Sequence, residues 1–144
     1  MIKILLTITL ALSGLGGWWV KQDQLTAENI IAQINYVRKS NFIGELKPLS
    51  QLMGSASQKL NDLCAFGYFD HNREGRSWDQ FFATKPEAIG ENLARDYFTP
   101  HEVVQAWQRS NLHRDNLLSW HFKQVGIAIG QCNGATYVVA HFSS

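Results

Sequence analysis

The chain has 144 residues, 13 Lys and Arg against 12 Asp and Glu, a formal charge of +1, and 45% hydrophobic and 12% aromatic side chains. The near-neutral balance excludes a nucleic-acid binder that works by neutralising phosphates. The apolar content, with only three prolines, excludes intrinsic disorder over most of the length, and the size suits one domain.

Residues 4–20 carry no charge and follow Lys3, the pattern of an export segment. Residues 1–22 are read as a signal peptide or an N-terminal signal anchor. Ser13, Gly14, Gly16 and Gly17 offer small side chains to a peptidase, whereas Trp18-Trp19 followed by Lys21 suits the interfacial end of an uncleaved anchor. A run of 17 residues is short beside the roughly 20 that span a bilayer. Removing residues 1–20 takes away Lys3 and leaves 12 basic against 12 acidic residues. The expected location is secreted or extracytoplasmic, with any membrane attachment through residues 4–20. Cys64 and Cys132 would then meet an oxidising compartment, where they form either a disulfide or two buried thiols.

Residues 26–144 read as one mixed domain. Thr26 caps a predicted helix in which Ile30, Ile34 and Val37 share a face. After a loop over residues 42–48, Leu49, Leu52, Met53, Ala56, Leu60 and Leu63 mark a second helix that Gly67 ends. Residues 67–98 are broken by Gly67, Gly75, Pro86 and Gly90 and are expected to hold loops and a small helix at 77–82. Thr99-Pro100-His101-Glu102 is a capping box with proline at the first helical position; Val103, Val104 and Trp107 face inward behind it. A further helical turn follows Asn111. Val125, Ile127 and Ile129 alternate with Gly126, Ala128 and Gly130, a strand with one bulky and one bare face. Asn133-Gly134 then turns the chain into a returning strand over residues 137–142.

Among five histidines, His101 in a capped first turn reads as exposed and inert, His121 in a loop gives no specific signal, and His141 on the last strand reads as structural. His71 and His113 lie in polar settings, with Glu91 between them in sequence. Two imidazoles and a carboxylate are the parts of an open metal site or of general acid–base chemistry. The alternative is a polar network in which Glu91 pairs with a histidine and Asn92 bonds the backbone. Ser110 and His113 have the spacing of a nucleophile and base, but no orienting acid accompanies them.

The ordered motifs Asn35-Tyr36-Val37-Arg38, Gly67-Tyr68-Phe69-Asp70-His71, Gly90-Glu91-Asn92-Leu93-Ala94, the run from Val104 through Trp107 to Ser110 with His113-Arg114-Asp115-Asn116, and Val125-Gly126-Ile127-Ala128 resemble a bacterial member of the CAP superfamily, the SCP/PR-1-like domain. The resemblance implies an α+β fold, a three-layer α-β-α sandwich with a central antiparallel sheet. It also implies a cleft built from His71, Glu91, Asn92, Ser110 and His113. The position of the family's second acid holds Ser110 here, and Glu102 does not match it. Two functions follow as expectations. One is a non-enzymatic extracytoplasmic module that binds a peptide, glycan or lipid-like molecule. The other is a hydrolase or peptidase dependent on zinc or another divalent metal, with His71 and His113 as ligands and Glu91 as base.

Overall fold

The computed structural model describes residues 24–144; the expected export segment, residues 1–22, lies outside them. The elements in order are α1 (Ala27–Ser40), β1 (Lys47–Pro48), α2 (Ser50–Phe66), a 3-10 turn (Trp78–Phe81), β2 (Ile89–Arg95), α3 (Pro100–Arg109), α4 (Asn111–Leu118), β3 (Gln124–Cys132) and β4 (Ala135–Ser143). The sheet order is β1-β3-β4-β2. β2, β4 and β3 pair antiparallel, and the two residues of β1 add a parallel edge against β3. α1, α3 and α4 cover one face and α2 the other, giving the α-β-α sandwich.

Capping sets the helix ends. The Thr26 hydroxyl accepts from Asn29 N at the start of α1, and Thr99 and Glu102 complete the reciprocal capping box of α3, satisfying donors that the first turn leaves open. Gly67, at φ 65°, closes α2 in the left-handed conformation that glycine adopts without penalty. β2 departs from the expected irregular stretch: Gly90, Glu91, Asn92, Leu93 and Ala94 are all buried, so no two-residue period is present to mark a strand. β1 likewise lies within the expected loop.

Each face carries its own core. Ile30, Ile34, Val37, Val103, Val104, Trp107 and Leu117 meet Val125, Ile127, Val138, Ala140 and Phe142 on one side. Ala56, Leu60 and Leu63 meet Leu93, Ala128, Tyr137 and Val139 on the other. The bare face of β3 is what admits α2. A Cβ placed on Gly126 would lie 2.1 Å from the Leu52 carbonyl carbon and 2.2 Å from Met53 N, so the helix backbone rests directly on the strand.

On the opposite face Arg38, 1% exposed, joins three segments. Its guanidinium donates to the carbonyls of Gly44 (2.7 Å), Leu117 (2.8 Å), Ser119 (2.9 Å) and Phe122 (3.2 Å). A buried cation is tolerable when its hydrogens are so matched. Asn35 pins the intervening loop, accepting from Leu46 N and donating to Leu46 O. Cys64 at the end of α2 is bonded to Cys132 at the end of β3, Cα to Cα 5.7 Å and 68 residues apart.

Two outcomes are expected in denaturant melts. Gly126→Ala should cost more than about 3 kcal/mol, because the clash is with main chain that cannot move alone, whereas Gly54→Ala, exposed on α2 with nothing within 4 Å of the added methyl, should stabilise by about 0.5–1 kcal/mol; equal effects would show that α2 does not lie this close to β3. Replacing both cysteines by serine should cost about 2–4 kcal/mol. A thiol assay on denatured, unreduced protein should find no free thiol, and two would dispose of the bond.

Candidate functional site

β2 is an edge strand, and Glu91 projects from it toward the α2 layer, where β4 places His141 beside it in register. The carboxylate is enclosed, its side chain 1% exposed. Oε1 accepts from His71 Nδ1 at 2.7 Å and Oε2 from His141 Nε2 at 2.9 Å. Burial pushes the Glu91 pKa up, but hydrogen bonds from His141 and His71, with the field of buried Lys59, carry it below the ordinary glutamate value. The pairing is what makes a buried carboxylate tolerable.

His141 is fully buried, with the Phe82 ring stacked on it at 4.3 Å between centroids. Burial lowers its pKa, partly opposed by Glu91, so the imidazole is neutral near pH 7. Its Nδ1 lies 2.7 Å from the Ser55 hydroxyl of α2, which is also 3.0 Å from the Leu52 carbonyl.

A second charged group supports the loop that carries His71. Lys59 is fully buried within the apolar stripe of α2 and donates to the carbonyls of Asp70 (2.8 Å) and His71 (2.6 Å) and to the Tyr68 hydroxyl (3.1 Å). Burial lowers its pKa while Glu91, Asp62 and Asp70 pull it back. Tyr68 in turn donates to Asp62 (2.7 Å), which also takes Arg73 and Arg76. The Arg73 hydrogen bond is the main reason the Asp62 pKa falls to about 2, with burial opposing and Tyr68 assisting. The loop is therefore fixed from below by α2.

His113 stands at the start of α4, its ring centroid 5.9 Å from that of His71. Burial, then the neighbouring His71, lowers its pKa. Its ring makes no hydrogen bond among the described residues. Asn92 points the other way from Glu91 and is fully buried, donating to the His113 carbonyl (3.0 Å) and accepting from Asn116 (2.8 Å). Asn116 also donates to the Glu91 carbonyl (3.1 Å). Asn92 thus ties β2 to α4 and does not line the cleft. Ser110 is the joint between α3 and α4, and no hydrogen bond joins it to His113 among the described residues. Between these elements runs a groove of about 380 Å³ lined by His71, Trp78, Ile89, Glu91, Leu112 and Asn116.

His141, Ser55 and Lys59 escape a reading of the sequence. Their signals are faint: a histidine on an otherwise apolar strand, and a lysine and a serine at buried positions of an amphipathic helix. As metal donors the cluster offers few atoms. Both Glu91 oxygens are taken by imidazoles, which leaves ring nitrogens of two histidines, and among the described residues no group of three or more His, Cys, Asp or Glu side chains is placed to hold an ion. Protein zinc sites use three or four such ligands, so the residues present do not fit a closed zinc site.

This sandwich is that of the SCP/PR-1-like domains. The chain belongs to the CAP family, the cysteine-rich secretory protein family, whose pattern matches residues 31–142. A relative, the uncharacterized protein YkwD of Bacillus subtilis, is 38% identical over 89 residues, covering 57% of this chain and 35% of its own length, so the chain spans about a third of that relative. Among solved structures, an outer surface protein of Borrelia burgdorferi superposes with a TM-score of 0.73 at 19% identity, over 80% of this chain and 89% of that one. An extracellular SCP-domain protein of Bacillus anthracis gives 0.68 at 22%, over 81% and 39%. NaASP2, solved with Zn2+, gives 0.62 at 11%, over 80% and 77%. Among the described residues no helix is long and apolar enough to cross a membrane.

The network predicts acid sensitivity. His141 holds its proton less well folded than unfolded, so its contribution is intact above about pH 6.5 and shrinks as pH falls below that. Asp62 and Glu91 are stronger acids when folded. The Asp62 part is complete above pH 3.8 and lost on the way to about 2. Melting temperature should therefore hold above pH 7, decline below about 6.5 and drop more steeply below about 4; a flat profile from pH 7 to 3 would contradict the network.

Proposed function

We propose that this is an exported CAP-domain module whose groove at the β2 edge binds an extracytoplasmic ligand without turning it over. The observation that carries the reading is the groove itself: His71, whose ring centroid lies 5.9 Å from that of His113, shares its lining with Trp78 and the 79% exposed Leu112, a mixture of polar and apolar contacts at the size usual for ligand sites. Each oxygen of its acid, Glu91, already accepts a hydrogen bond from an imidazole, and no hydrogen bond joins Ser110 to His113 among the described residues, which favours binding over hydrolysis. The groove is open and mostly apolar, with His71, Glu91 and Asn116 as its polar lining, which suits a chain that mixes apolar faces with amides or hydroxyls, a peptide or a glycan, better than an enclosed acyl tail. Export is supported by the uncharged residues 4–20 and by similarity to an extracellular SCP-domain protein.

The zinc-dependent reading keeps one supporting observation, the neighbour solved with Zn2+. Titrating the full chain with short peptides, chito-oligosaccharides, a fatty acid and zinc, each followed by amide chemical shifts, separates the readings. A peptide or oligosaccharide should perturb residues around His71 and Leu112, and His113→Ala with Leu112→Ser should weaken that binding about tenfold or more with the melting temperature little changed. Stoichiometric zinc binding abolished in His71→Ala and His113→Ala would favour the metal reading; saturable fatty-acid binding elsewhere would sink the groove.

A further inference from the structure

We propose that His141 and Ser55 are positioning residues of the groove: the buried chain Ser55–His141–Glu91 presents His71 to ligand as a single tautomer, with Nδ1 protonated and Nε2 left as a hydrogen-bond acceptor. The proposal rests on the reading of the groove as a binding site and names the chemistry it selects at His71, a ligand N–H or O–H.

The chain crosses three elements. Ser55 on α2 lies 2.7 Å from His141 Nδ1 on β4, His141 Nε2 lies 2.9 Å from Glu91 Oε2 on β2, and Glu91 Oε1 lies 2.7 Å from His71 Nδ1 in the loop. A carboxylate only accepts, so both imidazoles must turn an N–H toward it. His141 is enclosed between Phe82 and the sheet opposite Gly126, and such enclosure favours the neutral ring with one hydrogen. With that hydrogen at Nε2, its Nδ1 is an acceptor, and the Ser55 hydroxyl must donate there in preference to the Leu52 carbonyl. On the far side the same carboxylate claims the Nδ1 hydrogen of His71, and the nitrogen remaining to the groove is Nε2. The orientation of a 41% exposed ring is thus set by groups that no ligand touches. An orienting partner behind a histidine fixes which ring nitrogen is available in front. His141 does this at one remove, by occupying Oε2 and holding the carboxylate so that Oε1 faces His71. A second donor to that oxygen would do the same work; an apolar side chain would leave the carboxylate free to turn and the His71 ring free to exchange its hydrogen between nitrogens.

The test reads ring nitrogens directly, in the uniformly 15N-labelled full chain at about pH 8, with long-range proton–nitrogen correlation spectra. The expected wild-type result is His71 protonated at Nδ1 and His141 at Nε2, the latter hydrogen visible and slow to exchange. In His141→Leu the His71 nitrogen shifts should move toward the average of two tautomers, and in His141→Gln, whose amide can donate to Glu91, they should return to wild-type values. Restoration by glutamine is a readout that a merely structural role would not give. His71 protonated at Nε2, or His141 at Nδ1, in the wild type overturns the proposal, as does an unchanged His71 spectrum in folded His141→Leu. If the leucine variant does not fold, the wild-type spectrum decides the tautomers and His141→Ala supplies the loss that glutamine must restore. No ligand or metal enters the measurement, so a groove that binds nothing would sink the functional reading while leaving the tautomers as found.

Discussion

The buried carboxylate of Glu91 is the constraint to which the β2 edge of the molecule answers. An ionised acid removed from water is tolerable only if both oxygens are met by good donors. β2 alone has none to offer. The donors come from a loop 20 residues earlier in sequence and a strand 50 residues later, and each needs its own support: Ser55 behind His141, Lys59 beneath the backbone of Asp70 and His71. α2 supplies both supports, so the helix that packs on the sheet also sets the site.

That dual role explains why the α2 face is so tightly built. Gly126 lets the helix backbone touch β3, and His141, its neighbour in register on β4, gains the space to stand between helix and sheet. The disulfide from Cys64 to Cys132 holds the far end of the same helix to the same strand. On the opposite face the design is different. There the layer is held by an apolar core and by Arg38, whose four carbonyl partners tie the ends of α1 and α4 together, and Asn92 and Asn116 carry the connection through to β2 and His113. His71 and His113 are therefore set by separate layers that meet at the sheet edge.

Local patterns read well where one face of an element is buried and the other is wet. The Thr26 and Thr99 caps, the stripe ended by Gly67, and the bulky and bare faces of β3 are all legible because each is a periodicity or a chemical rule within a few residues. β2 is not, since both of its faces are covered and no alternation survives. The site divides in the same way. His71, Glu91 and His113 stand out through a resemblance of ordered motifs, whereas Asn92, which shares those motifs, braces α4 from the opposite side of the strand. His141 reads as a structural residue of the last strand, and it is wholly buried, with its Nε2 against the Glu91 carboxylate.

The sequence by itself determined the helices, their caps, the β3–β4 hairpin and the family, because these depend on neighbours within a few residues or on motifs kept in order. Only the tertiary structure decided which groups Glu91 would pair with and that a lysine inside an apolar stripe would hold the loop of His71. Those outcomes depend on register between β2 and β4 and on a helix resting within contact of a glycine. Register and close approach are properties of packed layers, and residues 20 to 86 positions apart carry no local mark of them.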